Sequence, residues 1–222
     1  MKKLLLVVCS AALMQGVSAQ TKDFPAFRIS VNGGYSYRLG KIGSQFNGEA
    51  RDYLKKLKSG FNIGADATYY FQEKMGVGLK YSRFHASNSG VFPIPGGNVS
   101  TSDNISINFI GAIFGTRLYN KAKTNAFYAN VGLGYLGFRN NSAVAINKMI
   151  LKGGTAGTSL DLGYDFRITR YLSAGAQASL ITGTLSSIKI EQSNGTSSVD
   201  LKDDEKENLT HLNLSAGIRF TL

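Results

Sequence analysis

The stretch Phe27-Arg28-Ile29-Ser30-Val31-Asn32-Gly33-Gly34-Tyr35-Ser36-Tyr37-Arg38-Leu39 alternates between two unlike sets of residues. Phe27, Ile29, Val31, Tyr35, Tyr37 and Leu39 share one parity. Arg28, Ser30, Asn32, Gly34, Ser36 and Arg38 share the other. Successive side chains of a strand point to opposite faces, so a period of two predicts a β-strand with one apolar and one polar face.

The same pattern recurs along the chain. A second strand sets Phe61, Ile63, Ala65, Ala67, Tyr69 and Phe71 against Asn62, Asp66 and Thr68; a third sets Met75, Val77, Leu79 and Tyr81 against Lys80 and Ser82. A fourth, over about 104–118, carries Ile105, Ile107, Phe109 and Ile113 on its expected apolar face, with Ile110 and Phe114 as exceptions on the polar one. Four more centre on Val131, Leu162, Ala176 and Leu214. Their connections alternate. Those at 72–74, 120–125 and 169–171 are tight, while 40–60, 85–103, 140–155 and 185–208 are long and polar. The expected fold class is all-β: an eight-stranded antiparallel up-and-down transmembrane β-barrel with short periplasmic turns and long extracellular loops.

The polar face is mostly Gly, Ser, Asn and Thr rather than the Lys and Glu of a water-facing surface. Aromatics gather near the short turns: Phe27, Tyr69, Phe71, Tyr119, Phe127, Tyr164, Phe166 and Phe220. Both features place the apolar face against lipid and the polar face in a narrow lumen. That parity turns Arg28, Arg38, Asp66, Lys80, Asp161, Asp165, Arg167 and Arg219 inward. The turn centred on Glu73 sets Asp66 opposite Lys80, an expected ion pair.

This pattern resembles the small outer-membrane β-barrel proteins that include the barrel of outer-membrane protein A and porin-family proteins. The resemblance rests on the strand pattern, on Val131-Gly132-Leu133-Gly134-Tyr135, and on the terminal Arg219-Phe220-Thr221-Leu222. It implies the cell outer membrane of a Gram-negative envelope. Implied partners are outer-membrane lipids, lipopolysaccharide and the barrel-assembly machinery, with an extracellular ligand reached through the long loops.

Lys2 and Lys3, an apolar run from Leu4 to Met14, and Val17-Ser18-Ala19 read as a signal peptide cleaved after residue 19, leaving 20–222 as the barrel domain. Cys9, the one cysteine, falls in that leader, so no disulfide or thiolate metal site is expected in the remainder. Only His85 and His211 are present, which argues against a metal enzyme, and no cofactor is expected. Removing Lys2 and Lys3 from 25 basic residues leaves 23 against 14 acidic ones, a net +9. An exported chain meets anionic lipid rather than nucleic acid.

The expected role is structural or surface-interacting, without enzyme activity. A narrow porin-like channel for small solutes and a lipid A acyl hydrolase are the alternatives. For the hydrolase, His85 and Ser87 would face lipid at the loop end of strand three, with Asp103 at similar height and, by parity, on the same face. Serine nucleophile, histidine base and carboxylate orienter suit acyl transfer. The segment Arg83-Phe84-His85-Ala86-Ser87-Asn88 resembles the His-x-Ser-Asn stretch of outer-membrane lipid A deacylases, which implies those roles for His85 and Ser87. The plain reading is a polar strand end.

Gly132-Leu133-Gly134-Tyr135-Leu136-Gly137 matches G-x-G-x-x-G but sits inside a strand, where glycine relieves crowding rather than opening a helix. His211 is expected in the lumen near the loop end. Residues 49–58, with Arg51, Lys55, Lys56 and Lys58, suit a short basic helix, either solvated or touching lipopolysaccharide phosphates. Asp203-Asp204-Glu205 with Glu207 reads as a solvated acidic run, with a divalent cation as the alternative.

Overall fold

The computed structural model describes residues 24–222 apart from 44, 45, 47, 95, 96, 193, 194 and 203–205. The expected leader and Asp203-Asp204-Glu205 lie outside the described residues. Eight antiparallel strands close a ring: β1 (Phe27–Arg38), β2 (Ser59–Tyr70), β3 (Met75–Ile94), β4 (Gly97–Tyr119), β5 (Asn125–Val144), β6 (Asn147–Arg167), β7 (Leu172–Thr182) and β12 (His211–Thr221). Each pairs with its neighbour, and β12 pairs with both β1 and β7. The start of β1 and the end of β12 meet on the turn side, where Phe27 and Leu222 exchange backbone hydrogen bonds.

Between β1 and β2 lies one helix, α1 (Gly48–Lys56). The β7–β12 connection holds a pair of two-residue strands, β8 (Thr184–Leu185) and β11 (Glu207–Asn208), and a hairpin, β9 (Ser187–Gln192) and β10 (Gly195–Asp200). The segments 85–103 and 140–155, expected as loops, are mostly strand. Their Ser, Asn and Gly residues continue the β3–β4 and β5–β6 ladders to Ile94↔Gly97 and Val144↔Asn147. With β9 paired to β6, an open sheet ordered β10-β9-β6-β5-β4-β3 rises on one side of the ring. Eight residues of β3 beyond Ala86 span about 26 Å at strand rise.

Outward residues form an apolar band. Ile29, Val31, Ile63, Val77, Leu79, Val131, Leu133, Leu160, Leu162, Leu214 and Ile218 are all exposed. Phe27, Phe71, Phe127, Phe166 and Phe220 rim its turn side, and Tyr35, Tyr37, Tyr81 and Tyr135 its loop side. From Phe127 to Tyr135 is nine residues, the length with which a tilted strand crosses a bilayer.

β4 reverses its expected faces. Ile105, Ile107, Phe109 and Ile113 are buried in the lumen, while Ile110, Phe114 and Leu118 are exposed to lipid. Both parities of β4 are apolar because it crosses the apolar half of the lumen, so alternation alone misreads it. Arg117 discriminates: it shares parity with Phe109 and is 2% exposed.

Val131 lies at the middle of its span, so Val131→Arg is expected to destabilise the barrel refolded in lipid by about 2–4 kcal/mol. Ile146→Arg, at a hairpin tip that is 94% exposed, is expected to cost almost nothing. Urea titration in vesicles reads both, and equal costs would invert the assignment.

Candidate functional site

The lumen is filled in two tiers. The tier towards the turns is ionic. Arg28 of β1 bonds Asp66 of β2 through Nη1 at 2.8 Å and Asp165 of β6 through Nε at 2.9 Å. Arg219 of β12 approaches the same Asp165 with Nε at 2.9 Å and donates to the Gly175 carbonyl at 2.7 Å. Lys80 of β3 reaches across the barrel to Asp161 of β6. Ser30 donates to Asp66, and Tyr128 donates to Gln177 Oε1 at 2.8 Å, whose amide continues to Ser179. Three cations and three carboxylates balance, and all six are at most 7% exposed. Below them Arg117 stacks on Tyr70, 3.6 Å from the ring centroid, and donates to the Glu73 and Pro25 carbonyls.

Asp66 does lie opposite Lys80 in register, but the expected ion pair between them is not formed. Each side chain leans to a different partner, Asp66 to Arg28 and Lys80 to Asp161. In a lumen this narrow a long Lys side chain spans the bore more readily than it folds back onto its own wall. Arg167 also departs from the expected set: it is exposed at the turn-side mouth instead of enclosed. Arg38 is buried at the loop end, bonded to Glu207 and to the Asn208 carbonyl at 3.1 Å.

The loop-side tier is apolar, where a polar lumen was expected throughout. Phe84, Ala86, Ile105, Ile107, Phe109, Leu136, Phe138, Ile181, Leu185 and Leu209 form one buried cluster, joined by Tyr53 and Leu57 from the α1 segment. Gly111, Gly134 and Gly157 stand side by side across β4, β5 and β6. A Cβ on Gly111 would strike Phe109 and one on Gly157 would strike Leu136, so the glycine row makes room for the plug. His211 is buried at its base, its Nδ1 2.8 Å from the Leu209 carbonyl and its ring against Phe84.

The basic helix thus serves as a lid. Tyr53 donates to Asp103 Oδ2 at 2.8 Å, Asn140 donates to Asp103 Oδ1 at 2.8 Å, and Asn88 donates to the Tyr53 carbonyl at 3.0 Å. Burial, and then the Asp103 bond, push the Tyr53 phenol well above its ordinary pKa, so it remains a donor. Arg51, Lys55 and Lys56 are exposed, Lys55 pairing with Asp52 at 2.9 Å.

These contacts separate the proposed hydrolytic residues. Asp103 binds Tyr53 on the inner face, opposite to its expected side, because β4 is reversed. His85 stays outward, with Nδ1 3.4 Å from Ser106 Oγ, and Ser87 is exposed further along β3. No His85–Ser87 hydrogen bond forms among the described residues. Among them, too, no group of three His, Cys, Asp or Glu side chains is arranged to hold a metal ion.

A cavity of about 20 Å³ lies between Arg28, Tyr70 and Arg117, and another of about 20 Å³ between Asn62, Lys80 and Ser179. Each has room for about one water. The interior is therefore packed rather than open, in the manner of the smallest membrane barrels.

Several solved structures share this fold. Neisserial surface protein A matches with a TM-score of 0.54 at 14% identity, over 88% of this chain and 97% of that one. The fold is that of the small outer-membrane β-barrels. The outer membrane protein OprG from Pseudomonas aeruginosa matches at 0.53 and 13% identity, over 90% and 97% of the two chains. A major outer membrane protein from Thermus thermophilus matches at 0.53 and 11%, over 89% and 100%. No family model matches the sequence, and comparison with curated proteins found no match.

The observed pairing makes a testable change to the expected energetics. Lys80→Met or Asp161→Leu alone leaves a buried charge unmatched and is expected to cost about 3–5 kcal/mol. The double variant is expected to cost far less, and a double-mutant cycle in urea reads the coupling. Additive effects would mean that the two side chains do not meet.

Proposed function

We propose that this chain is an integral outer-membrane barrel that does not conduct and is not an enzyme. Its role is structural and surface-interacting: a closed membrane anchor that carries a sheet beyond the bilayer. The two-tier filling of the lumen carries the reading. An ionic layer crossed by Lys80 and Arg28, beneath an apolar plug and the α1 lid, leaves spaces of about one water each.

The projecting sheet supports the surface role. Strands β3, β4 and β10 present Val91, Ser100, Ser102 and Val199 beyond the lipid band, with Ile146 at the tip between β5 and β6. Such an edge-bearing surface is suited to contact with another macromolecule. Against acyl hydrolysis stand the positions of His85, Ser87 and Asp103, which form no relay. The barrel-assembly machinery is the partner that inserts a chain of this kind.

Purified protein in planar bilayers is expected to show no large, steady conductance. The triple variant Phe84→Ala/Phe109→Ala/Leu136→Ala, which empties the plug, is expected to admit transient small openings. Porin-sized steady openings from the unmodified protein would promote the channel reading instead.

A further inference from the structure

Register places a row of cations on the outer surface. His85 of β3 lies opposite Ser106 of β4, Ser106 opposite Arg139 of β5, Arg139 opposite Lys152 of β6, and Lys152 opposite Lys189 of β9. Directly opposed residues of antiparallel strands share a face, and this is the face of Tyr81 and Tyr135. Arg83, Arg139 and Lys189 are exposed on it and Lys152 is partly so. Neighbouring strands lie about 4.8 Å apart, so Arg139, Lys152 and Lys189 stand side by side.

Like charges directly opposite one another destabilise a sheet. Among the described residues one carboxylate offsets them. Glu191 accepts from Lys152 Nζ at 2.8 and 2.6 Å. Its carboxyl is held below the ordinary range by that bond first, and by Lys189 and Arg139 as well. Arg83 donates to Ser106 Oγ at 3.2 Å and Arg139 to Asn141 Oδ1 at 3.0 Å, both neutral. Four cations against Glu191 leave an excess of three.

The height of this row is informative. Tyr81 donates to Asn108 Oδ1 at 3.0 Å, and the Tyr35 hydroxyl lies 2.9 Å from Ser59 Oγ. The Tyr135 hydroxyl lies over Gly154, where a Cβ would collide with it. Each of these neighbours is nearer the loops than the residue paired with the tyrosine, namely Ile110, Phe61 and Ala156. All three hydroxyls therefore point out of the apolar band, which marks where hydrocarbon gives way to headgroups. Arg83, Lys152 and Arg139 follow within two to four residues.

We infer that this row binds the phosphorylated headgroups of outer-leaflet lipid, an inference that rests on the barrel lying in an outer membrane. The Arg139 guanidinium grips phosphate oxygens as a fork, while Lys152 and Lys189 act as point charges along the row beside it. A phosphate there supplies the negative charge that Glu191 alone does not.

Native mass spectrometry of the folded protein tests this, using bis-phosphorylated lipid A, the same lipid without phosphates, and inorganic phosphate as probes. The combined variant R139Q/K152Q/K189Q is expected to retain bis-phosphorylated lipid more than about tenfold less well. E191Q is expected to retain it better, and R51Q/K55Q/K56Q on α1 to leave retention unchanged. Unchanged retention by the first variant, or equal retention of the dephosphorylated lipid, would overturn the site. Inorganic phosphate competing mole for mole with the lipid would overturn the lipid assignment in favour of a free anion. Faster migration of the unheated protein on detergent gels, kept by every variant, separates loss of this site from failure of the membrane barrel itself.

Discussion

An eight-stranded barrel encloses a bore about as wide as the side chains that line it. Any charge turned into that bore has left water, and an uncompensated one is costly. Most other features of this protein answer that constraint. Arg28, Lys80 and Arg219 meet Asp66, Asp161 and Asp165, and Asp165 is shared between two guanidinium groups. The contacts tie β1 to β2 and β6, β3 to β6, and β12 to β6, so opposite walls are held together as well as adjacent ones. Among the described residues Arg117 has no carboxylate bonded to it and is accommodated by the Tyr70 ring and two carbonyls.

Towards the loops the same narrowness is met without charge. Phe84, Phe109, Leu136 and Ile107 fill the space, and glycines side by side on β4, β5 and β6 help to admit them. The Tyr53–Asp103–Asn140 bonds then fasten α1 over the plug. Closure of the bore leaves the protein's available surfaces on the outside. One is the apolar band, another the sheet rising from β3–β6, and the third the cationic row between them.

The sequence was most readable where one face of a strand is purely apolar and the other purely polar. β1 and β2 meet that condition, and their alternation gives the lipid and lumen faces directly. β4 does not, because its lumen side crosses the plug; its inversion moved Asp103 to the wrong face and hid Arg117. Ser, Asn and Gly between 85 and 103 read as loop because turn-forming residues also occur in solvated hairpins, where pairing rather than side-chain burial maintains the strand. Cross-strand register was legible from the turn at Glu73, which set Asp66 opposite Lys80. The partner each side chain chose was not, since that depends on how far it reaches across the bore. The cationic row was equally hidden, since Arg139, Lys152 and Lys189 become neighbours only once β5, β6 and β9 are paired.

The bore is filled from turn to loop. Thiol accessibility tests it most directly, because residues 20–222 contain no cysteine of their own. Ala86→Cys reports on the plug, Ser179→Cys on the ionic tier, and Ile146→Cys on open solvent. A charged, membrane-impermeant thiol reagent applied to the folded barrel should label Ile146→Cys at once. It should label the other two only after unfolding. Rapid labelling of both lumenal cysteines in the folded protein would show instead a continuous aqueous path and a bore that is not filled.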